Sequence, residues 1–206
     1  ALNQSKHTKI LTALSLQNTP EIAHRLLLKS SYWDIIKNPY PERHKIPLDE
    51  EITVKTVEMP REDLTHLQSI AIDNSGSSDA DDAISLDNNI VWIHIADVAS
   101  RVPYDGELES YAQQRISNLY LPDQVIHMLP TNLTPLCSLG ESETSQAISI
   151  GFEMVENKIT NIQVIPSNIN VEKMSYMEAD KVIKGHKVLS KLNSLAKSHK
   201  AFRNNN

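Results

Sequence analysis

Residues 72–86 read IDNSGSSDADDAISL, where two apolar, strand-like ends enclose Asp73, Asp79, Asp81 and Asp82 within ten positions. Four carboxylates this close raise one another's pKa unless a cation or several hydrogen-bond donors compensate. A hard divalent cation answers that need, and an all-oxygen donor set selects magnesium, manganese or calcium over zinc. In a regular strand Asp79 and Asp81 would share a face and Asp82 would point away. Convergence on one site therefore predicts an irregular loop, for which Ser75-Gly76-Ser77-Ser78 supplies turn-forming residues. An EF-hand is excluded, because counting from Asp79 puts Ile84 sixth and Ile90 twelfth, where a calcium loop needs glycine and glutamate. The plainer reading of such a run is a solvated acidic turn. Against it, Asp73 ends one apolar strand and Asp82 opens the next.

Outward from this stretch the periodicity is two. Residues 51–57, 68–73, 82–86 and 90–96 read as strands, and 145–157 and 158–171 as a further pair joined by a hairpin turn at Asn157. A helix is expected at about 107–117, with closing helices near 175–184 and 187–203; Val188, Leu189, Leu192, Leu195 and Ala196 form the apolar stripe of the last. Upstream, Ile10, Leu11 and Leu14, then Ile22, Ala23, Leu26 and Leu27, recur at helical spacing, and Thr19-Pro20-Glu21 supplies a cap, a first-turn proline and an acid. Prolines 39, 41 and 47 predict an extended linker over 33–48. The expected fold class is α+β: a small helical domain at 1–48, then a mixed domain at 49–206. The helical pair reads either as a helix-turn-helix or winged-helix module or as a cap that packs on its neighbour.

Composition narrows the function classes. The net charge of −6 argues at first against a polyanion partner, but the distribution is uneven. Residues 1–48 hold seven Lys/Arg against three acids and residues 165–206 eight against three, which leaves −15 for the segment between. An acidic centre with basic ends permits a metal-dependent site that also meets nucleic acid. Cys137 is the sole cysteine, so no intramolecular disulfide forms, which favours a reducing, cytoplasmic setting. No apolar run approaches the ~18 residues of a membrane span, and no secretory pattern opens the chain. A start at Ala1 and a stop at three asparagines directly after a helical pattern read as a piece of a longer protein.

Ordered blocks carry a resemblance. The spacing Asp73-x5-Asp79-x-Asp81-Asp82-Ala83 resembles the signature of the ribonuclease II and ribonuclease R family, the RNB catalytic domain. Arg61-Glu62-Asp63-Leu64, His94-Ile95-Ala96-Asp97-Val98, Tyr120-Leu121-Pro122-Asp123, Met128-Leu129-Pro130, Leu136-Cys137-Ser138-Leu139 and Tyr176-Met177-Glu178-Ala179-Asp180 continue it. The resemblance covers about residues 60–203 and implies the first part of a mixed α/β RNB domain. It also implies a hydrolytic exoribonuclease that works from the 3′ end of single-stranded RNA and releases nucleoside 5′-monophosphates, with Mg²⁺ or Mn²⁺. By the same resemblance Asp73, Asp79 and Asp82 are the expected metal ligands, Asp81 orients or activates water or completes the metal shell, and Tyr120 stacks on the terminal nucleotide. His94 reads either as a satisfied core histidine or as a site residue; Asp97 and Arg115 read as an ion pair or as groups supporting the loop, and Asp63 with Arg61 likewise. His127, His186 and His199 read as surface residues. The family's later catalytic half, with an arginine for the scissile phosphate, is expected beyond residue 206. A non-catalytic RNA- or protein-binding member is the alternative.

Overall fold

The computed structural model describes residues 1–2, 8–46, 51–53, 57–77 and 79–204. They divide into two units, residues 1–50 with 115–128 and residues 51–114 with 129–206. The boundary expected near residue 48 falls outside the described residues, as does Ser78.

In the first unit, α1 (Lys9–Ala13) is followed by α2 (Pro20–Lys29), where the Thr19 hydroxyl accepts the Ile22 N–H at 3.3 Å and Pro20 occupies the first turn. The span expected as extended linker instead contains α3 (Tyr40–Arg43). Pro41 stands in the first turn of α3, where its missing N–H costs nothing, so the proline starts a helix here. A short hairpin of β5 (Leu119–Tyr120) and β6 (Val125–Ile126) belongs to the same unit.

The second unit is built on a seven-stranded sheet. Its strands are β1 (Glu62–Asp63), β2 (Ser69–Asp73), β3 (Asp82–Asp87), β4 (Ile90–Ala96), β7 (Ser145–Val155), β8 (Lys158–Ile169) and β9 (Val171–Ser175). Spatial order runs β1-β8-β7-β4-β3-β2-β9, with parallel pairs only at β1·β8 and β2·β9. The strand expected over 158–171 ends at Ile169 as β8, and a further strand, β9, follows it, of which that expectation held only Val171. One residue, Asn170, separates β8, which pairs with β7, from β9, which pairs with β2 across the sheet. One nearly continuous stretch of chain serving both sides forces the sheet to curl.

Small side chains permit that curl. Ala71, Ala83, Ala96 and Ala147 pack inside with Ala80, Leu139 and Ile169. On the outer face Ile70 packs with Ala179 of α6 (Tyr176–Val182) and Leu189 of α7 (Lys187–Asn204); of the expected stripe Leu189 and Leu192 are buried and Val188 and Leu195 half-buried, while Ala196 is exposed. A capping box of Ser175 and Glu178 starts α6, and the His186 ring accepts the Leu189 N–H at 3.2 Å at the start of α7. His186 and His199 are therefore half-buried, bonded residues, the latter meeting the Asn157 carbonyl at 3.0 Å. The β7–β8 turn places Glu156 and Asn157 at φ 52° and 62°, the pairing of positive angles that tight hairpins need. Helix α4 (Glu107–Arg115) buries Leu108 and Tyr111 against Ile52 and Leu133, beside α5 (Thr134–Cys137). Of the strand expected at 51–57, residues 54–56 lie outside the described residues; the flanking described ones are not in a strand.

Candidate metal and phosphodiester site

Asp73 is the last residue of β2 and Asp82 the first of β3. Between them the described chain is irregular, with Gly76 at φ 85°, a conformation that disfavours a side chain. The end of this loop is fixed by its backbone. The Leu139 N–H donates to the Ala80 carbonyl at 2.9 Å, and the Ala96 N–H donates to the Asp81 carbonyl at 2.8 Å. Ala80 is 5% exposed among the core alanines, so its methyl anchors the loop while Asp81 and Asp82 stay exposed.

The electrostatics differ from one acid to the next. Asp81 has its carboxyl raised above the usual range, by desolvation first and then by the charges of Asp79, Asp82 and Asp73 in that order. All four acids therefore act on one point. Asp73 is lowered, by the Ser77 hydroxyl first and then by the Asn74 N–H, which donates to its Oδ1 at 2.7 Å. Ser77 Oγ lies between two of the acids and donates its one hydrogen to Asp79 Oδ1 at 3.0 Å. Sequence reasoning saw that serine only as loop-forming. Among the described residues, no three His, Cys, Asp or Glu side chains converge closely enough to hold a metal ion. The all-carboxylate donor set fits a hard cation by its chemistry.

A cleft of about 180 Å³ opens beside Asp73, walled by Ser77, Ala80, Lys173, Ser175 and Glu178. Strand β9 builds this wall, for Asp73 and Ser175 are register partners. Lys173 is ion-paired with Glu141. Lys173 escaped sequence reasoning because it falls between the strand expected to end at 171 and the helix expected to begin near 175.

The remaining candidates separate. His94 is fully buried, with its Nε2 2.9 Å from Ser85 Oγ and its Nδ1 2.6 Å from Ser149 Oγ; burial pushes its pKa down to about 4. It is a satisfied core histidine, stacked on Trp92 at 6.3 Å. Asp97 forms its buried ion pair with Arg61 at 2.5 Å, and its Oδ1 accepts the Ser100 N–H. Arg61 also donates to the Ala147 carbonyl at 3.3 Å. The expected pairings are thus exchanged: Asp63 meets Thr65, whose hydroxyl donates to it at 2.6 Å, and Arg115 donates to the His127 carbonyl at 3.0 Å. Arg115 and Tyr120 belong to the first unit, where Tyr120 is 71% exposed. No helix among the described residues is long and apolar enough to cross a membrane.

Known proteins share both sequence and fold. Ribonuclease R of Chlamydia pneumoniae is 35% identical over 153 residues, 69% of this chain and 23% of that protein. The Dss1 exoribonuclease of Candida glabrata, solved as an active-site mutant, superposes with a TM-score of 0.68 at 21% identity, covering 86% of this chain and 28% of that one. Yeast Ssd1, a pseudonuclease, reaches 0.65 at 19% identity over 91% and 25%. The chain spans about a quarter of each. The two structural likenesses establish the fold alone, since one architecture serves both an exoribonuclease and a pseudonuclease. With the family match to the RNB domain extending over residues 61–206, the aspartate loop, the Arg61 block and the His94 strand have one origin: the chain belongs to the RNB domain family.

Proposed function

We propose that the protein is part of a hydrolytic 3′-to-5′ exoribonuclease that degrades single-stranded RNA to nucleoside 5′-monophosphates in the cytoplasm. The observation that supports this most is the raised carboxyl of Asp81 amid Asp79, Asp82 and Asp73. Asp73, Asp79 and Asp82 would hold magnesium, with manganese as a substitute. Such an ion, when bound, makes water nucleophilic near neutral pH and neutralises charge that grows on phosphoryl oxygens. Asp81 then orients the attacking water and takes its proton, a role that a raised pKa suits. Ser77 holds the Asp79 carboxylate through its hydroxyl. Tyr120 offers its ring to the terminal base, a sequence-tolerant grip on a single strand.

A second reading, a non-catalytic RNA- or protein-binding module, is favoured by the separation of the carboxylates. The full-length protein decides between them through shortening of 3′-tailed RNA with and without chelator. Chelator is expected to stop degradation, and Asp81→Asn to abolish it while RNA binding persists. Degradation indifferent to chelator sinks the metal-dependent reading, and RNA retention without any turnover supports the module.

A further inference from the structure

Two aromatic rings of the first unit are exposed and yet held in place. Tyr120 has 71% of its surface open, while Asn118 Nδ2 donates to its hydroxyl at 3.5 Å and Asn118 Oδ1 accepts the Met128 N–H at 2.7 Å. Tyr40, which opens α3, is 59% exposed. The Arg43 guanidinium lies over its ring, 5.2 Å from the centroid, and the His44 ring stacks at 6.5 Å with 14° between planes. Arg43 is itself anchored. Its Nε donates to the Ala1 carbonyl at 2.6 Å and its Nη2 to the Pro20 carbonyl at 3.1 Å, and Glu21 lies 3.7 Å from its Nη1. So engaged, this cation serves to fix the ring.

One side chain bridges the two stretches of chain that carry these rings. Asn38 Nδ2 donates to Asp123 Oδ1 at 3.1 Å, in the turn of the hairpin that carries Tyr120, while Asn38 Oδ1 accepts the Tyr40 N–H at 3.0 Å. An exposed ring gains little from folding, whereas a ring ordered in advance spares a ligand the entropy of ordering it. The first unit carries eight Lys/Arg against six Asp/Glu, a net +2 in a chain of −6, which favours a polyanion over a basic partner. Stacking on successive bases is how single strands are held without sequence preference.

We propose that Tyr40 is a second base-stacking position in the same unit as Tyr120, so that the first unit holds two bases of single-stranded RNA. This rests on the RNA reading above. The test is fluorescence anisotropy of a labelled oligoadenylate with the full-length protein in chelator, for wild type, Tyr40→Ala, Tyr40→Phe and Tyr120→Ala, with a duplex of equal length as control. Tyr40→Ala is expected to weaken single-strand binding about tenfold and duplex binding much less, with Tyr40→Phe near wild type. Photo-crosslinking of thiouridine-substituted RNA to the wild type, mapped by mass spectrometry, should mark both tyrosines and needs no variant to fold. Wild-type affinity in Tyr40→Ala together with crosslinks confined to Tyr120 overturns the Tyr40 assignment and leaves the RNA reading standing. Equal losses on single strand and duplex, or a tyrosine surface that captures a protein and no RNA, overturn stacking. Tyr40-dependent binding without hydrolysis upholds this inference while removing the enzymatic one.

Discussion

Acidification should loosen this protein through one residue. His94 sits inside the sheet with the Ser149 hydroxyl 2.6 Å from Nδ1 and the Ser85 and Ser69 hydroxyls 2.9 and 3.4 Å from Nε2. The neutral ring donates from one nitrogen and accepts at the other, and serine hydroxyls serve either role, so the neutral form is satisfied. A second proton would bury a charge, and desolvation moves the pKa from 6.5 to about 4. Between those values the unfolded chain binds a proton that the folded chain refuses, so stability is complete above the unfolded value and falls as pH drops toward the folded one. From about pH 7.5 to about pH 5 the loss comes to about 2 kcal/mol, or about 4 to 8 °C in melting temperature for a chain of this length. The lowered carboxyls of Asp73, Asp63, Glu21 and Glu178 lose their contribution only below the ordinary carboxylate range, outside this window. Thermal melts of wild type and His94→Gln across the window measure the difference, and NMR titration of the wild-type ring reads the same group without a variant. Parallel pH profiles for the two proteins, or a His94 ring that titrates near 6.5, would refute the reasoning.

Asp81→Asn removes a charge that its neighbours oppose, so it should raise the melting point slightly, by about 0.5 kcal/mol given its exposure, in the same protein that loses hydrolysis; calorimetry and the RNA assay run side by side check this. Arg61→Met strands Asp97 in a buried site and should cost about 3 to 5 kcal/mol in urea denaturation, with Arg61→Met/Asp97→Leu recovering much of it. A methyl at Gly151 would stand 2.7 Å from Trp92, so Gly151→Ala should cost about 1 to 3 kcal/mol and change the near-ultraviolet circular dichroism of that indole.

What sequence made legible follows the range of the forces involved. The strands β2, β3 and β4, the hairpin turn at Asn157 and the stripe of α7 each express a local period or a local turn, and each lies where the residues place it. The separate strand β9 does not, because Pro166, Asn168 and Asn170 weaken the strand signal ahead of it and only pairing with the distant β2 makes 171–175 a strand. The exchange of ion-pair partners has the same origin. Arg61 and Asp97 both stand in recognisable blocks, but which acid meets which cation is decided by the curl that brings β1 beside β8 and aims Arg61 at the Ala147 carbonyl. Within the candidate site the acids were legible as a cluster, whereas Ser77 as the donor to Asp79 and the β9 wall required coordinates.

Fold cannot settle whether this RNB domain hydrolyses RNA, since an exoribonuclease and a pseudonuclease superpose on it about equally well. The loop is the more discriminating feature. A surface acid with no task can spread into water, but here the backbone bonds from Leu139 to Ala80 and from Ala96 to Asp81 hold the loop in the field of its neighbours. The alanine at 80 is packed in the core, so the chain cannot relax outward without unburying it. Local structure that resists its own electrostatics is the pattern expected where a cation or a proton-transfer role completes the balance. Added magnesium should therefore raise the melting temperature of wild type and raise it less when Asp73, Asp79 or Asp82 is replaced by Asn, a readout independent of turnover. Equal stabilisation of all four proteins would mean that the loop bears its strain for a reason other than metal.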